Sequence, residues 1–84
     1  MKNIVLLASG SGSNAENIIK YFREKNISHN FHIITNKKDA FVLDRAKKLN
    51  VSAEVITKKQ NDEGVLFDRI NELKPDLIVL AGYL

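Results

Sequence analysis

Apolar and polar positions along this chain repeat with two alternating periods. Ile4-Val5-Leu6-Leu7-Ala8 is an unbroken apolar run, the pattern of a strand buried on both faces, and predicts a strand over 3–8. Ala15, Ile18, Ile19 and Phe22 then fall at i, i+3, i+4 and i+7, one face of a helix. That helix is expected over 14–25, with Ser13 or Asn14 as its N-cap. Phe31-His32-Ile33-Ile34 predicts a second strand. A second helix carries Val42, Leu43, Ala46 and Leu49 on one side, with Asp39 as its cap and Asn50 as a left-handed residue after its end. Ala53-Glu54-Val55-Ile56 predicts a third strand. A third helix presents Leu66, Phe67, Ile70 and Leu73, with its cap near Asn61 or Asp62, and Pro75 stops it. Leu77-Ile78-Val79-Leu80-Ala81 is the fourth strand.

The order β-α-β-α-β-α-β is that of an α/β fold, a Rossmann-like parallel sheet with helices on both faces. Right-handed crossovers favour strand order 3-2-1-4. Ligands in such sheets sit at the carboxyl ends of the strands, beside the switch point between strands one and four. Residues 9–14 and 81–84 both fall there. In this order the fourth strand is an edge, and an uncovered apolar edge invites pairing. Residues 1–84 are therefore expected to be one N-terminal portion, truncated after strand four, with self-association through residues 77–81.

With 44% apolar and 27% charged residues, the chain has the composition of a folded globular domain. It has no cysteine, which removes disulfides and thiolate metal sites. No apolar stretch approaches the about 20 residues of a spanning helix, and Met1-Lys2-Asn3 leads straight into a strand. No membrane association and a cytoplasmic location are the expectation. The net charge of +3 comes from scattered pairs, Lys37-Lys38, Lys47-Lys48 and Lys58-Lys59. Without a dense basic face or interleaved aromatics, nucleic acid is not an expected partner.

The candidate chemistry lies in Ser9-Gly10-Ser11-Gly12-Ser13-Asn14, between a buried strand and a helix. Glycines let the backbone approach an anion. The N–H groups and dipole of a helix start favour negative charge, and hydroxyls and the Asn14 amide add donors. The predicted ligand is the phosphate of a small molecule, held by Gly10, Ser11, Gly12, Ser13 and Asn14. The bland alternative is a tight strand-to-helix turn. Gly10-Ser11-Gly12-Ser13-Asn14-Ala15 also satisfies the loose dinucleotide pattern. However, the second strand ends in Thr35-Asn36-Lys37-Lys38, with no acid for an NAD ribose. NADP stays open, with Lys37 and Lys38 toward a 2′-phosphate.

Four segments together resemble the N-terminal part of the phosphoribosylglycinamide formyltransferases. They are Ile4 to Asn14, Thr35-Asn36-Lys37-Lys38-Asp39-Ala40, Leu43-Asp44-Arg45-Ala46-Lys47, and Lys74-Pro75-Asp76 through Gly82-Tyr83-Leu84. The resemblance implies formyl transfer from 10-formyltetrahydrofolate to glycinamide ribonucleotide in purine synthesis. It implies a substrate phosphate on Gly12, Ser13 and Asn14, with Gly10 and Ser11 shaping the loop. Leu84 would begin the folate pocket. Lys58-Lys59 stands where many members carry an arginine that reaches folate, so Lys59 is the candidate there, as a point charge. The family's catalytic asparagine, histidine and aspartate belong to later segments, so no catalytic residue is expected among these 84, nor activity from them alone. A formyltetrahydrofolate deformylase relative and a nucleotide- or NADP-binding module are the alternatives.

His29 in Ser28-His29-Asn30 reads as a solvated loop residue, and His32 as a structural residue remote from the carboxyl ends. Two isolated histidines make no metal site. Asp62 and Glu63 read as helix-start acids favoured by the dipole, Asp76 as turn chemistry, and Phe22, Phe31 and Phe67 as core. Tyr83 either lines a pocket or covers apolar surface.

Overall fold

The computed structural model describes residues 2–8, 12–27, 29–37 and 41–81. The elements in chain order are β1 (Asn3–Ala8), α1 (Ser13–Glu24), β2 (Asn30–Thr35), α2 (Phe41–Leu49), β3 (Ser52–Val55), α3 (Lys58–Asp62), α4 (Val65–Leu73) and β4 (Leu77–Ala81). All strand pairs are parallel and the sheet order is β3-β2-β1-β4. This is the predicted α/β fold. Leu6 pairs with Ile33 on one side and Val79 on the other, which makes β1 the central strand.

Side-chain alternation divides the core between the two faces of the sheet. Ile4, Leu6, Ala8, Phe31 and Ile33 pack with Ala15 and Ile19 of α1 and Val42 and Ala46 of α2. Val5, Leu7, Ile34 and Ile56 form the other layer, covered by Val65, Leu66 and Leu73 of α4. The continuous apolar run in β1 therefore serves two cores at once. Asp76 fixes the start of β4, since its carboxylate accepts from the Asn3 N–H at 2.7 Å and its own N–H donates to the Asn3 carbonyl at 2.7 Å. Leu77, Ile78 and Leu80 are exposed on β4, as the edge position implies.

Several local expectations change. α1 begins one residue earlier than predicted, at Ser13, because its N-cap is Gly12 in the left-handed region (φ 75°) and not Ser13 or Asn14. β3 is shifted by one, to Ser52–Val55. The single third helix is two helices. Thr57 accepts from the Gln60 N–H while the Gln60 side chain accepts from the Thr57 N–H, a capping box that starts α3 ahead of Asn61. Gly64, at φ 85°, then turns the chain into α4. Asp62 and Glu63 consequently close α3 and do not open a helix. Phe67 is 70% exposed, so it is not a core residue. Re-starting the helix at Val65 turns Leu66 and Leu73 inward and Phe67 outward.

The C-terminal signals hold. Asn50 adopts φ 57° after α2 and Lys74 φ 48° before Pro75. Asp39, the predicted cap of α2, lies outside the described residues.

His29 is half-buried, not solvated. Its ring lies 5.3 Å from that of Phe22 and 6.4 Å from that of Phe31, and its Nδ1 accepts from the Lys2 N–H. His32 is structural, as expected. Its Nδ1 lies 2.7 Å from Ser52 Oγ and its Nε2 2.7 Å from Glu54 Oε2. Arg69 of α4 donates through Nε to both Glu54 oxygens, at 2.8 and 2.9 Å, locking β2, β3 and α4 together. Burial pushes the Glu54 carboxyl up, but the hydrogen bonds and charges of Arg69 and His32 outweigh it and hold the carboxyl below its ordinary value. A lowered carboxyl stabilises the fold above the ordinary carboxylate range and loses that contribution as pH falls through its folded pKa. Glu54→Gln is therefore expected to lower stability at neutral pH. Its urea-melt stability should converge with that of wild type only well below about pH 4.3. Curves that stay parallel into acid would disconnect Glu54 from the pH dependence.

Candidate functional site

Because the sheet is parallel, all four strands deliver their carboxyl ends to one edge of the molecule. β1 is central, so α1 begins beside the switch point between β1 and β4. This is where helix N–H groups meet a crevice in doubly wound sheets.

Gly12 is buried and left-handed. Its carbonyl accepts from the Glu16 N–H at 3.0 Å, the first hydrogen bond of α1. A helix leaves its first N–H groups without intrahelical carbonyls. The cap residue, Gly12, brings no side-chain hydrogen bond to this helix start, and the positive end of the α1 dipole lies at this edge. Ser13 and Asn14 follow with exposed side chains. The structure thus brings Gly12, Ser13 and Asn14 together at the predicted place. Gly10 and Ser11 lie outside the described residues.

α2 also builds this corner. A Cβ placed on Gly12 would come within 2.5 Å of Val42 Cβ and 2.8 Å of Val42 Cα. The first turn of α2 is therefore packed onto the cap of α1. No pattern in the sequence announces this contact between residues 30 positions apart.

At the end of β2, Thr35 is fully buried, and its hydroxyl accepts from the Lys37 N–H at 3.4 Å. The Thr35 carbonyl accepts from the Ile56 N–H at 2.8 Å, which ties the ends of β2 and β3. Lys37 is exposed at this edge. Lys59 is exposed on α3, which follows the carboxyl end of β3. Leu84, the other folate candidate, and Tyr83 and Lys38 lie outside the described residues. His32 pairs with Ser52, the first residue of β3, at the opposite, amino-terminal side of the sheet. Among the described residues no three of His, Asp and Glu gather as a metal site, and no helix is long and apolar enough to cross a membrane.

A Rossmann-like parallel sheet with a left-handed glycine opening α1 at its switch point defines a class, and the comparisons assign it. The chain belongs to the formyl transferase family, whose sequence model matches residues 2–84. Within that family it is similar to phosphoribosylglycinamide formyltransferases. It is 34% identical to the enzyme of Escherichia coli K12 over 88 residues, which covers 98% of this chain and 42% of that protein. It is 36% identical to that of Haemophilus influenzae over 90 residues, covering 100% and 42%. Among solved structures, the phosphoribosylglycinamide formyltransferase of Coxiella burnetii superposes with a TM-score of 0.84 at 31% identity, over 99% of this chain and 42% of that one. The glycinamide ribonucleotide transformylase 1 of Geobacillus kaustophilus gives 0.84 at 28% identity, covering 100% and 48%. The chain thus spans less than half the length of these relatives. None of these matches favours a free-standing dinucleotide module.

Proposed function

We propose that this chain is the phosphate-holding part of a phosphoribosylglycinamide formyltransferase. The whole enzyme would move a formyl group from 10-formyltetrahydrofolate to the amine of glycinamide ribonucleotide. The observation that carries this reading is the buried left-handed Gly12 at the carboxyl-end edge of central strand β1, which opens α1 beside exposed Ser13 and Asn14. The phosphate of the ribonucleotide would sit against the amides of that first turn, with the Ser13 hydroxyl and Asn14 amide as added donors and Gly10 and Ser11 shaping the approach. Holding the phosphate there would fix the reach of the substrate amine toward the β4 side of the crevice. The folate supplies the formyl group when bound. Lys59, an exposed ammonium on the same edge, suits an anionic part of that donor as a point charge, and Leu84 would form the first wall of its pocket. No residue of this chain is assigned to the chemical step.

The test is calorimetric titration of the chain with glycinamide ribonucleotide. Saturable binding is expected, about five- to ten-fold weaker in Asn14→Ala, the effect of one lost polar donor. A folded wild-type chain that ignores the ligand, or an Asn14→Ala variant that binds equally well, overturns the assignment.

The open β4 edge supports a second element of the proposal. Leu77 is 48%, Ile78 44% and Leu80 71% exposed beside an unpaired strand edge, and a second copy of this chain would cover them. Sedimentation velocity is expected to show concentration-dependent association that Leu80→Lys reduces. A strictly monomeric wild type at high concentration removes this element alone.

A further inference from the structure

One charge stands out of place beside the cradle. Glu16 lies in the first turn of α1. A carboxylate there is favourable to an empty helix, whose dipole it complements. For a helix whose first turn is to hold a phosphate, the same carboxylate is a like charge about one turn from the ligand. Helix side chains lean toward the N-terminus, which brings it closer still.

The structure answers this charge from the neighbouring helix. Arg45 of α2 donates through Nη1 to Glu16 Oε2 at 2.8 Å. The Glu16 side chain is 19% exposed and that of Arg45 34%. Lys20 reaches the same oxygen at 3.7 Å, but it is 56% exposed and one of the weak surface pairs. Glu16, Arg45, Phe41, Asp44 and Lys48 line one shallow cavity of about 320 Å³ on the α1–α2 side. The Arg45 contact sits where α2 also presses Val42 onto Gly12. The helix that fixes the path of the cap therefore also carries the charge that neutralises Glu16.

We propose that Arg45 is a positioning residue for anion binding at the first turn of α1: it holds the Glu16 carboxylate, cancels its charge, and so sets the phosphate affinity of that turn. The inference rests on the phosphate-holding reading of that turn. It also assigns α2 a part in substrate affinity through a side chain outside the glycine loop.

The test titrates inorganic phosphate against the 84-residue chain, read from the amide resonances of Asn14 and Ala15, for wild type, Arg45→Gln, Glu16→Gln and the double variant. Arg45→Gln is expected to weaken binding about five-fold, the size of one unscreened neighbouring charge at the surface. Adding Glu16→Gln is expected to return the affinity to wild type or better. Glu16→Gln alone is expected to tighten binding. A merely structural tie between the helices predicts the opposite for the last two, since each breaks the contact without restoring it. Thermal melts check that each variant is folded, and if Arg45→Gln is not, Glu16→Gln alone decides by the direction of its change. Affinity unchanged in Arg45→Gln, or loss that Glu16→Gln does not rescue, overturns this proposal and leaves the cradle standing. A folded wild type that shows no phosphate response at Asn14 and Ala15 overturns both.

Discussion

Gly12→Ala is expected to destabilise the chain by about 3 kcal/mol or more and to abolish phosphate binding. Two costs add. A non-glycine residue at φ 75° carries a penalty of about 1–2 kcal/mol. The new Cβ would also lie 2.5 Å from Val42 Cβ and 2.8 Å from Val42 Cα, so the backbone of α2 must retreat, not just a side chain. Overpacking of this kind costs about 1–3 kcal/mol. The two parts can be separated. Val42→Gly costs stability of its own by emptying a buried core position, but in the Gly12→Ala background it removes the side-chain clash and not the strained dihedral, so the double variant should lose less than the two single losses summed. Urea melts of the two single variants and the double variant measure the coupling. Full independence of the two substitutions would mean that α2 does not rest on the cap. Binding that survives in a destabilised but folded Gly12→Ala chain would move the phosphate away from this turn.

Leu6→Ala is the second large effect. Leu6 is fully buried in the central strand, with Ile33 and Val79 beside it and α1 and α2 above it. The expected cost is about 3 kcal/mol, the lost transfer energy plus the cavity that neighbours on both strands cannot fill. In a domain this small that is a large part of the total stability, and Tm should fall by roughly 15–20 °C. Leu80→Ala provides the contrast. Leu80 is equal in size but 71% exposed on the edge strand, and its loss should be within about 0.5 kcal/mol. Equal effects at the two positions would contradict the central place of β1.

The contrast between these leucines also shows what could be read from the chain beforehand. Both sit in apolar runs, and the runs do predict strands, their parallel order and their place in the sheet, because burial on two faces leaves an unmistakable composition in β1. Periodicity likewise identifies Val42, Ala46, Ala15 and Ile19 as inward-facing. What it missed was decided by short-range chemistry that competes with the pattern. The reciprocal Thr57–Gln60 cap and the left-handed Gly64 broke one expected helix into two and turned Phe67 out to solvent. At the candidate site, the sequence placed Gly12, Ser13 and Asn14 at the start of α1, where the structure has them. That Gly12 itself serves as the N-cap was not legible, since serine and asparagine are the better caps by type. The support of the cradle was also invisible. Val42 against Gly12 and Arg45 on Glu16 are contacts across 30 and 29 residues, and no local pattern encodes them.

The paired hydrogen bonds between Asn3 and Asp76 close a circuit of 73 residues. Everything from the first strand to the last must be threaded before that closure rewards the chain, whereas β1, β2 and β3 can meet through much shorter crossovers. During synthesis from the N-terminus, the first three strands therefore reach one another while the fourth has yet to appear. Until it does, the central strand is itself an edge. The residues of β4 are thus the ones that convert Leu6 from a flank of a three-stranded intermediate into an interior position between two partner strands.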